Sequence, residues 1–321
     1  MASSAGLKMY NCAGSSKVDR YFCTACGTKV YSTLKHLGTN TKAVYLQNLT
    51  IPNHGDSGKI DDRFKPGCHI FYGSGTVSIF DKLPKFASLP PNFGGDGRQL
   101  PNDAHAVAEN SAAPFDTSWM DEPAGKAALA QSKGSCHCGA VAWEVTGLPK
   151  WTARCHCSVC RMTHSADSAE LCAFDATKVS VTKGEDRLAM YRQVRGANPK
   201  GSSKRYFCSA CGSSVYSSFK HFDGAATRAI NLQNLTTPNH GEKGKIDDRF
   251  KMGCHIFYGS GTTCMYDKLG KYRTLPKAFG GDGKRLASDY HDWLAKQSGS
   301  HAWAGPAAAA TSPKGGGANP L

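Results

Sequence analysis

The chain has 321 residues, 40% of them hydrophobic, which gives room for about two domains, each with a core of its own. Thirty-nine Lys and Arg against 25 Asp and Glu leave a formal charge of +14, scattered rather than run together; without a reader motif this favours an anionic small molecule over nucleic acid. No stretch approaches the roughly 18 uninterrupted apolar residues of a membrane helix, and the start MASSAGLKMYNCAG holds no apolar leader core, so a soluble cytoplasmic or nuclear protein is expected.

In chain order, the first hundred residues matter because they recur. RYFCTACGTKVYSTLKH at 20–36 returns as RYFCSACGSSVYSSFKH at 205–221, and LQNLTIPNHGDSGKIDDRFKPGCHIFYGSGT at 46–76 returns at 232–262. FGGDG closes both copies, at 93–97 and 279–283. A unit this long is a tandem duplication rather than a solenoid repeat. Residues 1–100 therefore read as a partial half-domain, 101–132 as a linker rich in Ala, Asn, Pro and Ser, 133–287 as a complete domain, and 288–321 as a short helix followed by a disordered Ala/Gly/Pro tail.

Strand signals dominate the complete copy: AVAWEV at 140–145, WTARC at 151–155, KVSVT at 178–182, RLAMYR at 187–192, SVYSSF at 214–219, RAINLQ at 228–233 and CHIFYG at 254–259, separated by Gly, Asn and Pro turns. An all-β domain of short strands is expected. A small β core gains folding free energy directly from a bound metal.

Fourteen cysteines in a reducing compartment read as metal ligands and buried thiols rather than disulfides. Cys136 and Cys138, spaced CxC, with Cys208 and Cys211, spaced CxxC, make a set of four; Cys155, Cys157 and Cys160 make a set of three. A closed structural zinc takes four protein ligands, whereas a catalytic zinc keeps three and an open position. Two zinc ions per chain are therefore expected, one structural and one catalytic. The first copy keeps Cys23 and Cys26 but no CxC, and Cys12 is too isolated to complete a four-thiol set.

GSCHCGAV at 134, CHCSVCR at 155, RYFCSACGSSVY at 205 and HIFYGSG…YDKL at 255 resemble the glutathione-dependent formaldehyde-activating enzymes, a family that includes the centromere protein V-like proteins. The resemblance covers about 134–283, and the first copy is similar to the family's C-terminal half. It implies a β-tent fold of small antiparallel sheets, a structural zinc on Cys136, Cys138, Cys208 and Cys211, and a catalytic zinc on Cys155, Cys157 and Cys160. It also implies a carbon–sulfur lyase-type reaction, the reversible addition of glutathione to formaldehyde. After the triple the run CRMTHSADSAELCAF departs from the family, which commonly has a Gly there.

Plainer readings accompany these. His156, between two ligands, is expected to point away; His164 is a candidate for a proton relay or a fourth ligand; His255 reads as structural. Cys172, Cys254 and Cys264 read as core thiols. Arg161 and Arg205 can meet a carboxylate of an anionic thiol, though exposed arginines are the expectation. A leftover half-domain exposes strand edges, so it is expected to pack on the complete domain or on another chain. The competing function is a binding module in which both zincs are structural and the basic surface recruits an acidic partner.

Overall fold

A computed structural model describes residues 6–11, 17–37, 41–49, 64, 66–75, 79, 81–102, 104, 131–192, 203–220, 224–236 and 248–291. Cys12, most of the expected linker (105–130) and the expected tail from 292 lie outside the described residues. No helix among the described residues is long and apolar enough to cross a membrane.

The architecture is all-β. In the first copy β1 (Leu7–Asn11), β2 (Val18–Cys23), β3 (Lys29–Leu34) and β4 (Lys42–Val44) form an antiparallel sheet in sequence order. The second copy contributes β5 (Gln131–Ser135), β6 (Ala142–Thr146), β7 (Trp151–Cys155), helix α1 (Ser158–His164), β8 (Ala169–Asp175), β9 (Val179–Lys183) and β10 (Leu188–Arg192). It continues with β11 (Lys204–Cys208), β12 (Ser214–Lys220), β13 (Ala226–Asn231), β14 (Cys254–Ile256) and β15 (Gly270–Lys271). These build a three-stranded sheet, β5-β6-β9, and an eight-stranded sheet, β10-β11-β12-β13-β8-β7-β14-β15. Every pairing is antiparallel except those of β14 with β7 and β15, which are parallel.

The duplication is deeper in space than the RYFC block suggests. LKMYN of β1 pairs with β2 in the register that LAMYR of β10 keeps with β11: Leu7 faces Cys23 and Leu188 faces Cys208. The next pairings, β2 with β3 and β11 with β12, carry an irregularity at the same Tyr-Phe step, Tyr21/Phe22 and Tyr206/Phe207. In both, a tyrosine pair faces across the next strand, with ring centroids 4.4 Å (Tyr21, Tyr31) and 4.5 Å (Tyr206, Tyr216) apart. Aromatic cross-strand pairs of this kind stabilise a register.

The complete copy holds two apolar clusters, and each contains one cysteine set. Trp143, Val145, Phe174, Ile230, Leu232 and Phe250 surround Cys136, Cys208 and Cys211. Trp151, Ala153, Leu171, Ala229, Ile256 and Phe279 surround Cys155 and Cys160. Strand β7 lies inside the sheet between β8 and β14 and is buried at all five positions, the pattern of a strand covered on both faces.

The first copy packs against the second through equivalent residues. Phe22 lies over Gly212 and Phe207 over Gly27, its counterpart. A Cβ on either glycine would fall 2.6 Å from the ring Cγ, and both have positive φ, +75° and +72°, so glycine is required twice over. Lys8 Nζ donates to Ser209 O (2.8 Å), Lys29 Nζ donates to Gly212 O, and Tyr10 Oη lies 2.9 Å from His137 Nδ1.

Candidate metal centre

The four-thiol set forms where two tight turns face one another. Cys136 N donates to Val141 O and Gly139 N to Cys136 O; Cys208 N donates to Ser213 O and Gly212 N to Cys208 O. These turns aim sulfurs inward and amides at them: Val141 N donates to Cys136 Sγ (3.2 Å) and Ala210 N to Cys208 Sγ (3.4 Å). The four sulfurs lie within 4.8 Å of one another, with Cys136 to Cys138 at 3.6 Å and Cys138 to Cys208 at 3.8 Å. A tetrahedron with Zn–S bonds of about 2.3 Å has edges of about 3.8 Å, so the set fits that ion.

The second set lies at the end of β7 and the start of α1. Cys157 caps the helix, its Sγ accepting from Cys160 N (3.4 Å), which turns Cys160 back toward Cys155. Cys155 Sγ donates to Cys157 Sγ at 3.5 Å, and all three sulfurs lie within 4.8 Å. Among the described residues no further His, Cys, Asp or Glu joins the set. Three thiols with this spacing also fit a zinc ion.

Hydrogen bonds from Cys155 and Cys160 hold the Cys157 thiol down to about 2, against the opposing effect of burial. For Cys160 the bond with Cys155 lowers the value, but the bond with Cys157 and burial together push it up to about 12. Cys155 is pushed well above its ordinary value by its bonds to Cys157 and Cys160. The three thiols titrate as one coupled set, and ligation by all three releases protons.

His156 does point away from the sulfurs. Its Nε2 lies 2.9 Å from His255 Nδ1, and His255 Nε2 lies 2.8 Å from Asp267 Oδ2. Since the carboxylate accepts, His255 carries its proton on Nε2 and takes one from His156 Nε2, which leaves His156 Nδ1 bare; that atom has no hydrogen-bond partner. Burial lowers both imidazoles, keeping them neutral. Asp267 stays ionised below its ordinary range: burial opposes this, but the bond from His255 and the charges of Arg154 and Lys271 outweigh it. Arg154 Nη1 reaches Asp267 (3.1 Å) and Arg154 Nε reaches Glu170 (2.9 Å), while Lys271 Nζ reaches Asp267 (2.7 Å). This buried network, which the sequence reading missed, anchors the backbone between Cys155 and Cys157. Its signal is the repeat itself, since Asp81 binds His69 (2.8 Å) and Lys85 (2.7 Å) in the first copy.

His164 is not a ligand. Its nitrogens face Cys160 O (3.0 Å) and Asn231 Oδ1 (2.7 Å). Cys172 and Cys254 are buried core thiols, as expected, while Cys264 is half-buried. The arginines depart from expectation: Arg161 is 3% exposed, and Arg205 is half-buried with an unpartnered Nε. The Arg205 charge lowers both Cys157 and Cys160, and its side chain lines a small crevice with Cys26, His164, Ser217 and Asn231.

Residues 131–258 match the family model of the glutathione-dependent formaldehyde-activating enzymes. The match spans the segment from β5 to the turn after β14. A Halomonas elongata protein that carries the provisional name glutathione-dependent formaldehyde-activating enzyme is 33% identical over 86 residues, which cover 26% of this chain and 54% of that protein. The chain thus spans about half the length of this curated relative. A crystal structure of a Rhodobacter sphaeroides protein aligns with a TM-score of 0.28 at 26% identity, covering 36% of this chain and 96% of that one.

Proposed function

We propose that the formaldehyde-activating-type domain holds two zinc ions and carries the reversible addition of glutathione to formaldehyde, a carbon–sulfur lyase-type reaction. The observation that carries this reading is the division of seven buried or half-buried sulfurs into a set of four and a set of three with no further protein donor among the described residues. In the addition the thiol S–H bond breaks, an S–C bond forms to the carbonyl carbon, and the carbonyl oxygen takes up a proton, giving S-hydroxymethylglutathione. A zinc ion held by three thiolates supplies an electrophilic site of weakened Lewis acidity, suited to a thiol more than to making hydroxide.

The chain's own groups support an anionic thiol as substrate. Arg205 brings positive charge to the triple, and its side chain lines the adjoining crevice. One carboxylate of glutathione would pair there by a charge-assisted hydrogen bond. The surrounding Cys155, Cys160 and Ala169 are buried among apolar neighbours, which limits competition from water.

Metal analysis should return two zinc ions per chain, and NMR exchange between glutathione and formaldehyde should accelerate on adding protein. Cys157→Ser should keep one ion and lose the acceleration. Two ions with no acceleration would remove the enzyme reading and leave a zinc-stabilised binding module.

A further inference from the structure

Two turns of identical sequence have different fates in this molecule. Leu46–Asn48 in the first copy and Leu232–Asn234 in the second both read LQN, and the preceding residues share extended backbone, φ −82° and ψ 114° against φ −82° and ψ 120°. Gln233 is exposed and donates to Glu170 of its own domain. Gln47 is 7% exposed and reaches across to the other copy.

There Gln47 does something only a primary amide can do. Its Oε1 accepts from Arg161 Nη1, and its Nε2 donates to Asp167 Oδ1 (2.6 Å) and Thr262 Oγ1 (3.1 Å), so it bridges a buried cation and an anion. Arg161 follows the last cysteine of the triple directly, and its Nε donates to His156 O (3.1 Å), the carbonyl between Cys155 and Cys157. Beside it Asn48 Nδ2 donates to Ser165 Oγ (3.0 Å), and Ser165 Oγ donates to Lys29 O (3.0 Å). Ser165 is the left-handed residue, φ 54°, that ends α1. The first copy therefore grips α1 at its last turn and, through Arg161, the backbone of the triple.

We infer that the incomplete copy works as a built-in second subunit whose Gln47 is a positioning residue for the three-thiol site. It fixes Arg161, and Arg161 fixes the Cys155–Cys157 turn in the geometry that holds the metal and receives the thiol. The inference deepens the zinc reading above and rests on it for the identity of the ion.

The test uses the full chain and three variants: Gln47→Leu, Gln47→Glu combined with Asp167→Asn, and Gln233→Leu. Zinc release to a chromogenic chelator should be biphasic, with the three-thiol ion leaving first. Loss of a group that orients a metal ligand typically costs 10- to 100-fold, so Gln47→Leu should speed the fast phase by about that factor and leave the slow four-thiol phase unchanged. Alkylation of Cys157 in metal-free protein, read by mass spectrometry, should change by a similar factor. Gln47→Glu keeps the acceptor for Arg161 and, made together with Asp167→Asn so that an amide again faces a carboxylate, should recover most of the loss, and Gln233→Leu should match the parent. If Gln47→Leu leaves both the fast phase and Cys157 alkylation unchanged, or if the Gln47→Glu, Asp167→Asn pair behaves as Gln47→Leu does, the inference is overturned. Absence of glutathione–formaldehyde exchange in the parent would remove the proposed reaction alone, because neither release nor alkylation depends on turnover.

Discussion

The packing of Phe207 on Gly27 gives a mutation whose cost can be worked out in advance. In Gly27→Ala the new Cβ falls 2.6 Å from Phe207 Cγ and 2.8 Å from Cδ2, on a residue with φ +75°. The left-handed backbone costs an L-residue about 1–2 kcal/mol. Forcing a methyl into a packed ring adds about 1–3 kcal/mol. Gly224→Ala isolates the first part, since Gly224 has φ +81° and open space around its Cβ direction, so it should cost about 1–2 kcal/mol alone. In a Phe207→Ala background the overlap vanishes, and Gly27→Ala should fall to the same value. Urea denaturation of the four variants in a double-mutant cycle measures the coupling, expected at about 1–3 kcal/mol. Additive costs, or a Gly27→Ala no worse than Gly224→Ala, would show that the copies do not meet in solution as described.

Arg154 pairs with Glu170 and Asp267 while 3% exposed, so Arg154→Leu takes the buried guanidinium from both, leaving Glu170 with Gln233 and Asp267 with His255 and Lys271, and should cost about 3 kcal/mol by chemical denaturation, the low end for a broken buried pair. His255 and Asp267 are both held below their ordinary 6.5 and 3.8, so each binds fewer protons folded than unfolded, and stability rises with pH. On acidification the His255 share should fade below about pH 6.5 and the Asp267 share below about pH 4; Asp267→Asn should flatten the second fall in a pH series of melting curves. Cys208→Ser removes a buried sulfur of the four-thiol set and, on the zinc reading, should unfold the domain on metal analysis and circular dichroism together, whereas Cys157→Ser should stay folded with one ion fewer.

Much of this was legible because it is local. CxC, CxCxxC and CxxC spacings fix which sulfurs can share an ion, and β-branched alternation placed β6, β7, β9, β10, β12, β13 and β14 to within a few residues. Strand β8, LCAF within a polar run, showed no alternation because both its faces are packed. Helix α1 has seven residues and a cysteine for a cap, so the usual start signals are missing. The burial of Arg161 and the parting of Gln47 from Gln233 were beyond reach for a different reason. Both depend on which surface meets which across more than a hundred residues, and the same tripeptide sends no local sign of it.

The reciprocal seating of two rings on two glycines has a kinetic corollary. Two separate chains joined through such a face would come apart on dilution, and any property of the shared surface would fade with them. Covalent linkage makes the meeting intramolecular, so its effective concentration does not fall on dilution. Metal retention at the Cys155 end of the molecule should therefore be the same in a nanomolar solution as in a concentrated one.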